Sequence, residues 1–280
     1  MERIMTAAAH ETFRQHLAAE ELAESTIQKY SRDLLAFGTW AGAQEITKEL
    51  SVAWKEHLVQ QGYAPATVNS MLAVINHFFK FMGWQDCTVK FLKLQRRLFR
   101  ARERDISDAE FRRLVEQAQI SGKPRLALLL ETIAATGIRV SEVKYITVEA
   151  AECGRTEISL KGKIRTILLP SKLCRKLLKY AKKQKTAFGE IFLTKSGKSL
   201  NRKQIWAEMK QLCKAAGVEA SKVFPHNLRH LFATAFYRVT RDIAKLADVL
   251  GHSSVETTRI YLLSTGEEHI RQLDRMGFVS

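Results

Sequence analysis

The sequence predicts a mainly α-helical protein in two parts, joined by a basic segment and carrying one small β-hairpin. Three observations support that expectation. Apolar residues recur three and four apart over most of the chain, the spacing that buries one face of a helix. Only between Arg155 and Leu169 does the period fall to two, around a tight Lys161-Gly162-Lys163 step. Charge is also uneven: residues 1–89 carry a net −3, residues 90–104 a net +6 and residues 105–280 a net +13. The expected boundaries are a helical domain over 1–88, a basic linker over 89–104 and a second domain over 105–280.

In the first part, Glu11-Thr12-Phe13 with Leu17 starts one helix. Ser25 or Thr26 caps a second, in which Ile27, Tyr30, Leu34, Leu35 and Phe37 recur at helical spacing. Ile46-Thr47 precedes a third, with Leu50, Val52, Trp54 and Leu58 apolar. Gly62-Tyr63-Ala64-Pro65 is a turn, and Thr67 opens a fourth with Val68, Met71, Leu72, Ile75, Phe78, Phe79 and Met82. By periodicity this is a four-helix bundle, which many functions use. Lys29, Arg32, Lys55 and Lys80 are candidates for a one-sided basic face. The segment from Val89 to Asp105 reads either as a solvated linker or as a stretch lying along a polyanion.

In the second part, Ser107-Asp108-Ala109-Glu110 is a capping signature for a helix with Phe111, Leu114 and Val115. Pro124 to Ala135 is strongly apolar and reads as a buried core helix. Thr136-Gly137 breaks it, which sets Arg139 at the start of the next turn, with Glu142 following. The hairpin then alternates through Ile158 and Leu160, and through Ile164, Thr166 and Leu168. Pro170-Ser171 ends it, and a helix runs from Leu173 to Tyr180. Residues 182–201 form a basic loop around a short apolar run, and Asn201 or Arg202 opens a helix through Trp206, Met209 and Leu212.

The stretch from Phe224 to Tyr261 organises the chain. One helical pattern (Leu228, Leu231, Phe232, Ala235) carries His226 and Arg229; a second (Ile243, Leu246, Ala247, Leu250) closes at Gly251, a C-cap, followed by His252. Ser253 or Ser254 caps the next helix, which carries Tyr261 nine residues after that histidine. Arginine presents a fixed fork to phosphate oxygens, histidine donates to them or moves a proton, and tyrosine can act as a covalent nucleophile. With Arg139 added, the set reads as a phosphate clamp beside a nucleophile. His230 sits on an apolar helix face and reads as structural, while His10, His16, His57, His77 and His269 belong to no motif. Tyr145, Tyr180 and Tyr237 lack an upstream Leu-Gly-His.

Composition narrows the class. An apolar share of 46% fits a globular chain, and no run of eighteen apolar residues would span a membrane. No secretory leader is legible. Cys87, Cys153, Cys174 and Cys213 are scattered without C-x-x-C spacing, so neither a zinc site nor a disulfide framework is expected, and the natural setting is the reducing cytoplasm. The net charge of +16 favours a polyanionic partner, held with steep salt dependence if it is nucleic acid. There is no P-loop, dinucleotide fingerprint, G-x-S-x-G elbow or carboxylate cluster for a two-metal nuclease.

Ala135-Thr136-Gly137-Ile138-Arg139 with Ser141-Glu142, His226-x-x-Arg229, Leu250-Gly251-His252 and Tyr261 nine residues on together resemble the tyrosine recombinase (phage integrase) family. The match covers roughly Asp105 to Tyr261, and more loosely the N-terminal part through T-I-x-x-Y-x-x-D-L and A-P-A-T-V-N. The resemblance implies an N-terminal core-binding (SAM-like) domain and a C-terminal catalytic domain forming a clamp around double-stranded DNA. It also implies the catalytic set Arg139, Lys161, His226, Arg229, His252 and Tyr261, with Lys163 a competitor for the hairpin lysine. Tyr261 would form a 3′-phosphotyrosyl link without ATP, metal or other cofactor. Four protomers would pair two DNA sites and exchange strands through a Holliday junction, as in Xer-like or mobile-element members. The tail residues Ile270, Leu273 and Met276 either dock on a neighbouring protomer or pack on their own domain. Two other readings share these features: a type IB topoisomerase-like enzyme that only cleaves and rejoins, and a catalytically silent DNA-binding accessory factor.

Overall fold

The computed structural model describes residues 3–94, 105–160, 163–261, 270 and 274–276. The chain divides into two compact units, residues 1–96 and 97–280.

The first unit is built from α1 (Ala7–Ala19), α2 (Glu24–Ala41), α3 (Lys48–Gln60) and α4 (Pro65–Phe81). The central helix is α4, which buries Val68, Met71, Leu72, Val74, Ile75, Phe78 and Phe79 and so is apolar around most of its girth. Phe13, Leu17, Leu34, Phe37, Trp54 and Leu58 from the other three helices complete the core. Three helix starts differ from expectation. α1 begins four residues before Glu11, because the Thr6 hydroxyl caps it by accepting from the Ala9 amide. α2 begins at Glu24 with no side-chain cap, so Ser25 and Thr26 lie inside its first turn. α4 begins at Pro65 rather than Thr67, since a proline at the first helical position already has the required φ and lacks only an amide that would have no helical partner.

Residues 89–94, expected in the linker, are held along α4. The Asn76 amide donates to Val89 O and accepts from Val89 N, both at 2.9 Å. Asn69 grips Leu92 in the same way at 2.9 and 2.8 Å. Each carboxamide thereby mimics a strand neighbour, satisfying an extended backbone that has no sheet. Of the expected basic face, Lys29 and Arg32 both pair with the buried Asp33. The remainder of the linker, residues 95–104, lies outside the described residues.

The second unit opens with α5 (Asp108–Ile120), whose Ser107/Glu110 capping box forms as expected. α6 (Pro124–Thr136) is the buried core helix. A 3₁₀ turn (Val140–Tyr145) and α7 (Val148–Cys153) lead to β1 (Arg155–Leu160) and β2 (Lys163–Leu168), paired antiparallel from Arg155↔Leu168 to Leu160↔Lys163. There follow α8 (Ser171–Lys183), α9 (Arg202–Cys213), α10 (Pro225–Thr240), α11 (Ile243–Leu250) and α12 (Val255–Arg259). Asn201 caps α9 and Ser254 caps α12. In the basic loop, Ile191 and Phe192 are buried in the main core, and Ile191 N donates to Ile146 O at 3.1 Å.

The face of β2 is a correction. The alternation suggested Ile164, Thr166 and Leu168 as its apolar side, yet Ile164 is 79% and Leu168 61% exposed. Arg165 and Ile167 point inward instead, beside Ile158. A shift of one residue exchanges the two faces of a strand completely. The core takes Arg165 because a buried carboxylate waits for it, as described below. Of the tail, Leu273 lies outside the described residues. Among the described residues, no helix is long and apolar enough to cross a membrane.

Candidate active site

Four local structures bring the predicted residues into one cleft of about 1060 Å³, lined by Arg139, His226, Arg229, His252 and Tyr261. The first is the end of α6. Gly137 closes that helix at φ +62°, a conformation costly for other residues, and a Cβ there would lie 2.4 Å from Phe232. The chain therefore turns sharply, and Arg139 leaves it in an extended conformation at the start of the 3₁₀ turn. Glu142 fixes it twice, accepting from the Arg139 amide and from its guanidinium, each at 2.8 Å.

The second is α10. His226 stands in its first turn, and Arg229 three residues on shares that helix face. Arg229 is 2% exposed. Its guanidinium donates to Gly137 O, to Leu250 O at 2.8 Å and to His252 Nε2 at 3.0 Å, and its charge interacts with the Tyr261 hydroxyl. It thus ties the ends of α6 and α11 together.

The third is the end of α11. Gly251 adopts φ +63°, and a Cβ there would meet Arg165 Cδ at 2.3 Å. The fourth is α12, which delivers the buried Thr258 to His252 Nδ1 at 2.8 Å and then Tyr261 to the cleft. The Tyr261 ring lies nearly parallel to that of His252, with centroids 5.8 Å apart, and 5.6 Å from His226. The nucleophile candidate is therefore held in its own chain's cleft. His230, read as structural, is buried and packs 5.5 Å from the same ring. Lys161 lies outside the described residues, and Lys163 opens β2 opposite Leu160.

Cationic neighbours and burial set the protonation. Burial pushes the His252 imidazole from 6.5 down to about 4, assisted by Arg229, Arg139, Arg165 and His226. His252 is thus neutral near pH 7. Because Arg229 can only donate, His252 Nε2 carries the lone pair and Nδ1–H donates to Thr258. Burial also lowers Arg229 to about 10, which leaves it charged. The buried carboxylate beside this site, Glu142, is engaged by arginines, so the donor set suits an anion and not a metal ion.

Sequence reasoning missed Arg165. Its guanidinium donates to Glu142 at 2.7 Å and to Val249 O at 2.9 Å, linking the hairpin to both the Arg139 turn and the end of α11. The legible signal was a charged residue interrupting an apolar strand. Lys144, Arg202, Lys203 and Lys210 on the cleft wall, with half-exposed Trp206, were likewise not singled out.

Residues 104–268, more than half of the chain, match the phage integrase family, and residues 11–86 match its N-terminal SAM-like domain. The chain belongs to the phage integrase family. Among its relatives are tyrosine recombinase XerD of Halalkalibacterium halodurans, 28% identical over 86% of this chain and 87% of that protein. Another is tyrosine recombinase XerA of Pyrococcus furiosus, 26% identical over 97% of this chain and 94% of the relative. The fold is shared with a lambda integrase tetramer bound to a Holliday junction (TM-score 0.73, 16% identity, covering 91% of this chain and 76% of that one). It is also shared with XerH recombinase bound to difH substrate (TM-score 0.67, 19% identity, 95% and 84%). As a tyrosine recombinase, the chain has an expected pH response at His252. The folded value lies below the ordinary one, so the unfolded chain takes up the proton first. The stability contributed is fully present above about pH 6.5 and is lost as pH falls through about 4. Thermal melts from neutral pH to about pH 4 will show a steeper decline in the parent than in His252→Asn. Parallel curves would show that burying the neutral ring has no such consequence.

Proposed function

We propose that this recombinase cleaves and exchanges DNA strands at specific sites in the cytoplasm, using Tyr261 of each protomer in its own cleft. The Tyr261 oxygen bonds to a DNA phosphorus, and the bond from that phosphorus to the 5′-oxygen breaks. The products are a 3′-phosphotyrosyl link and a free 5′-hydroxyl. The tyrosine proton passes to a histidine of the cleft or to water, and Lys161 (or Lys163) protonates the departing 5′-oxygen. Arg139 and Arg229 hold the non-bridging oxygens and offset the charge that grows in the pentacoordinate transition state. His226 and His252 add hydrogen bonds. A 5′-hydroxyl from a partner site reverses the step, and because the phosphotyrosyl link keeps the bond energy, strand exchange balances without a further reagent.

The observation that carries this reading is the gathering of Arg139, His226, Arg229, His252 and Tyr261 in one cleft, with His252 stacked on the tyrosine ring. A nucleophile and its phosphate-binding cation are already adjacent. In the assembled form, residues 1–88 and 105–280 each contact DNA, and four protomers hold two sites through a Holliday junction.

The test is a suicide DNA substrate, nicked near the cleavage position and selected from fragments that become covalently attached. In EDTA, the parent protein is expected to give an adduct that survives denaturant, and Tyr261→Phe none. An adduct undiminished in Tyr261→Phe would exclude that nucleophile. Tight, salt-sensitive binding without any adduct would instead favour a DNA-binding accessory role.

A further inference from the structure

The first unit brings together two histidines and a glutamate that the recombination chemistry does not use. His16 and Glu20 are four apart at the end of α1, and His77 comes from α4. Glu20 Oε1 lies 3.4 Å from His16 Nε2, and Glu20 Oε2 lies 3.4 Å from His77 Nε2. One donor atom from each of the three residues falls within 4.8 Å of the others. In a tetrahedral zinc site with bonds of about 2.0–2.1 Å, neighbouring ligand atoms stand roughly 3.3 Å apart. Each histidine already stands at that spacing from one oxygen of the carboxylate, and a small rotation of Glu20 would bring a single oxygen between the two rings.

The rings are also held in place. His16 stacks on Phe81, with centroids 4.5 Å apart and planes at 24°. His77 meets Phe13 edge-on at 5.4 Å and Tyr30 at 5.9 Å. Such packing fixes the direction of each Nε2 before any ligand arrives and lowers the entropy lost on binding. All three side chains are about a third exposed, which leaves an entry path and room for water in a fourth position.

We infer that His16, Glu20 and His77 form a two-histidine, one-carboxylate site for a divalent transition metal, zinc being the best match to this mixed nitrogen–oxygen set. The ion would pin the end of α1 to α4 and so stabilise the helical unit; it takes no part in strand cleavage. Charge favours it as well, because residues 1–89 carry a net −3 while the rest of the chain is strongly positive.

The test uses the full-length, untagged protein stripped with EDTA and passed into metal-free buffer. Zinc chloride titrated against a chromophoric chelator is expected to bind at about one equivalent and to raise the melting midpoint by several degrees. Cobalt(II) should give the visible absorption of a tetrahedral site. Glu20→Gln and His77→Gln, which keep size and most packing, are expected to weaken binding at least tenfold and to remove the thermal shift. No saturable binding, or equal binding by the parent and both variants, would overturn the site. Either outcome leaves the adduct assay in EDTA untouched, so failure here and failure of the recombinase reading are told apart.

Discussion

Arg229→Lys is expected to slow phosphotyrosyl formation by about 10²–10³-fold, the effect of removing one preorganised donor from a developing oxyanion. Charge is retained, so the loss is one of geometry. The Arg229 fork reaches two backbone carbonyls and His252 at once. A lysine presents a single ammonium on a flexible stem and cannot span them. Stability should fall too, since the carbonyls of Gly137 and Leu250 each lose a partner in a dry interior, at about 1–3 kcal/mol apiece. Arg139→Lys is the informative contrast. Its side chain is 44% exposed, so that change should reduce the rate with little effect on folding. Single-turnover adduct formation and urea unfolding separate the two effects. A parent-like rate in Arg229→Lys, measured where the variant is folded, would confine Arg229 to a structural role.

Much of the architecture was legible because it rests on local rules. The capping box at Ser107/Glu110, the glycine closing α6 and the Leu250-Gly251-His252 turn are short-range devices, and each appears where its residues stand. The same holds for the cleft. His226 and Arg229 share a helix face, and the nine-residue step to Tyr261 is one turn plus one short helix. What escaped was fixed by distant partners. The inward face of β2 follows from Glu142, twenty-three positions earlier, which no alternation within the strand could reveal. The start of α4 was misplaced because Thr67 is a good cap by type, while Pro65 is already helical in φ. The hold on residues 89–94 comes from two asparagines within α4, where a polar residue on a helix ordinarily signals only a solvent face.

Arg165→Met is expected to be among the most damaging substitutions outside the cleft lining. Glu142 is 1% exposed and shared between Arg139 and Arg165. Removing Arg165 leaves half of a buried carboxylate uncompensated, a loss of about 3 kcal/mol that the added apolar contact of methionine does not offset. The consequence should reach the chemistry. With one arginine gone, Glu142 can pull Arg139 inward, away from the phosphate, while Val249 O loses its donor beside His252. Adduct formation should therefore slow even at temperatures where Arg165→Met is fully folded. Arg165→Lys, which restores the charge but not the fork, should recover more stability than rate. The double variant Glu142→Gln with Arg165→Met should recover stability alone, because the half-compensated buried charge has gone while Arg139 loses its carboxylate anchor. If folded Arg165→Met cleaves as fast as the parent, Arg165 serves only the core. If it does not, the hairpin, the Arg139 turn and the His252 turn act through one buried ion cluster, and each must be in place before Tyr261 can attack.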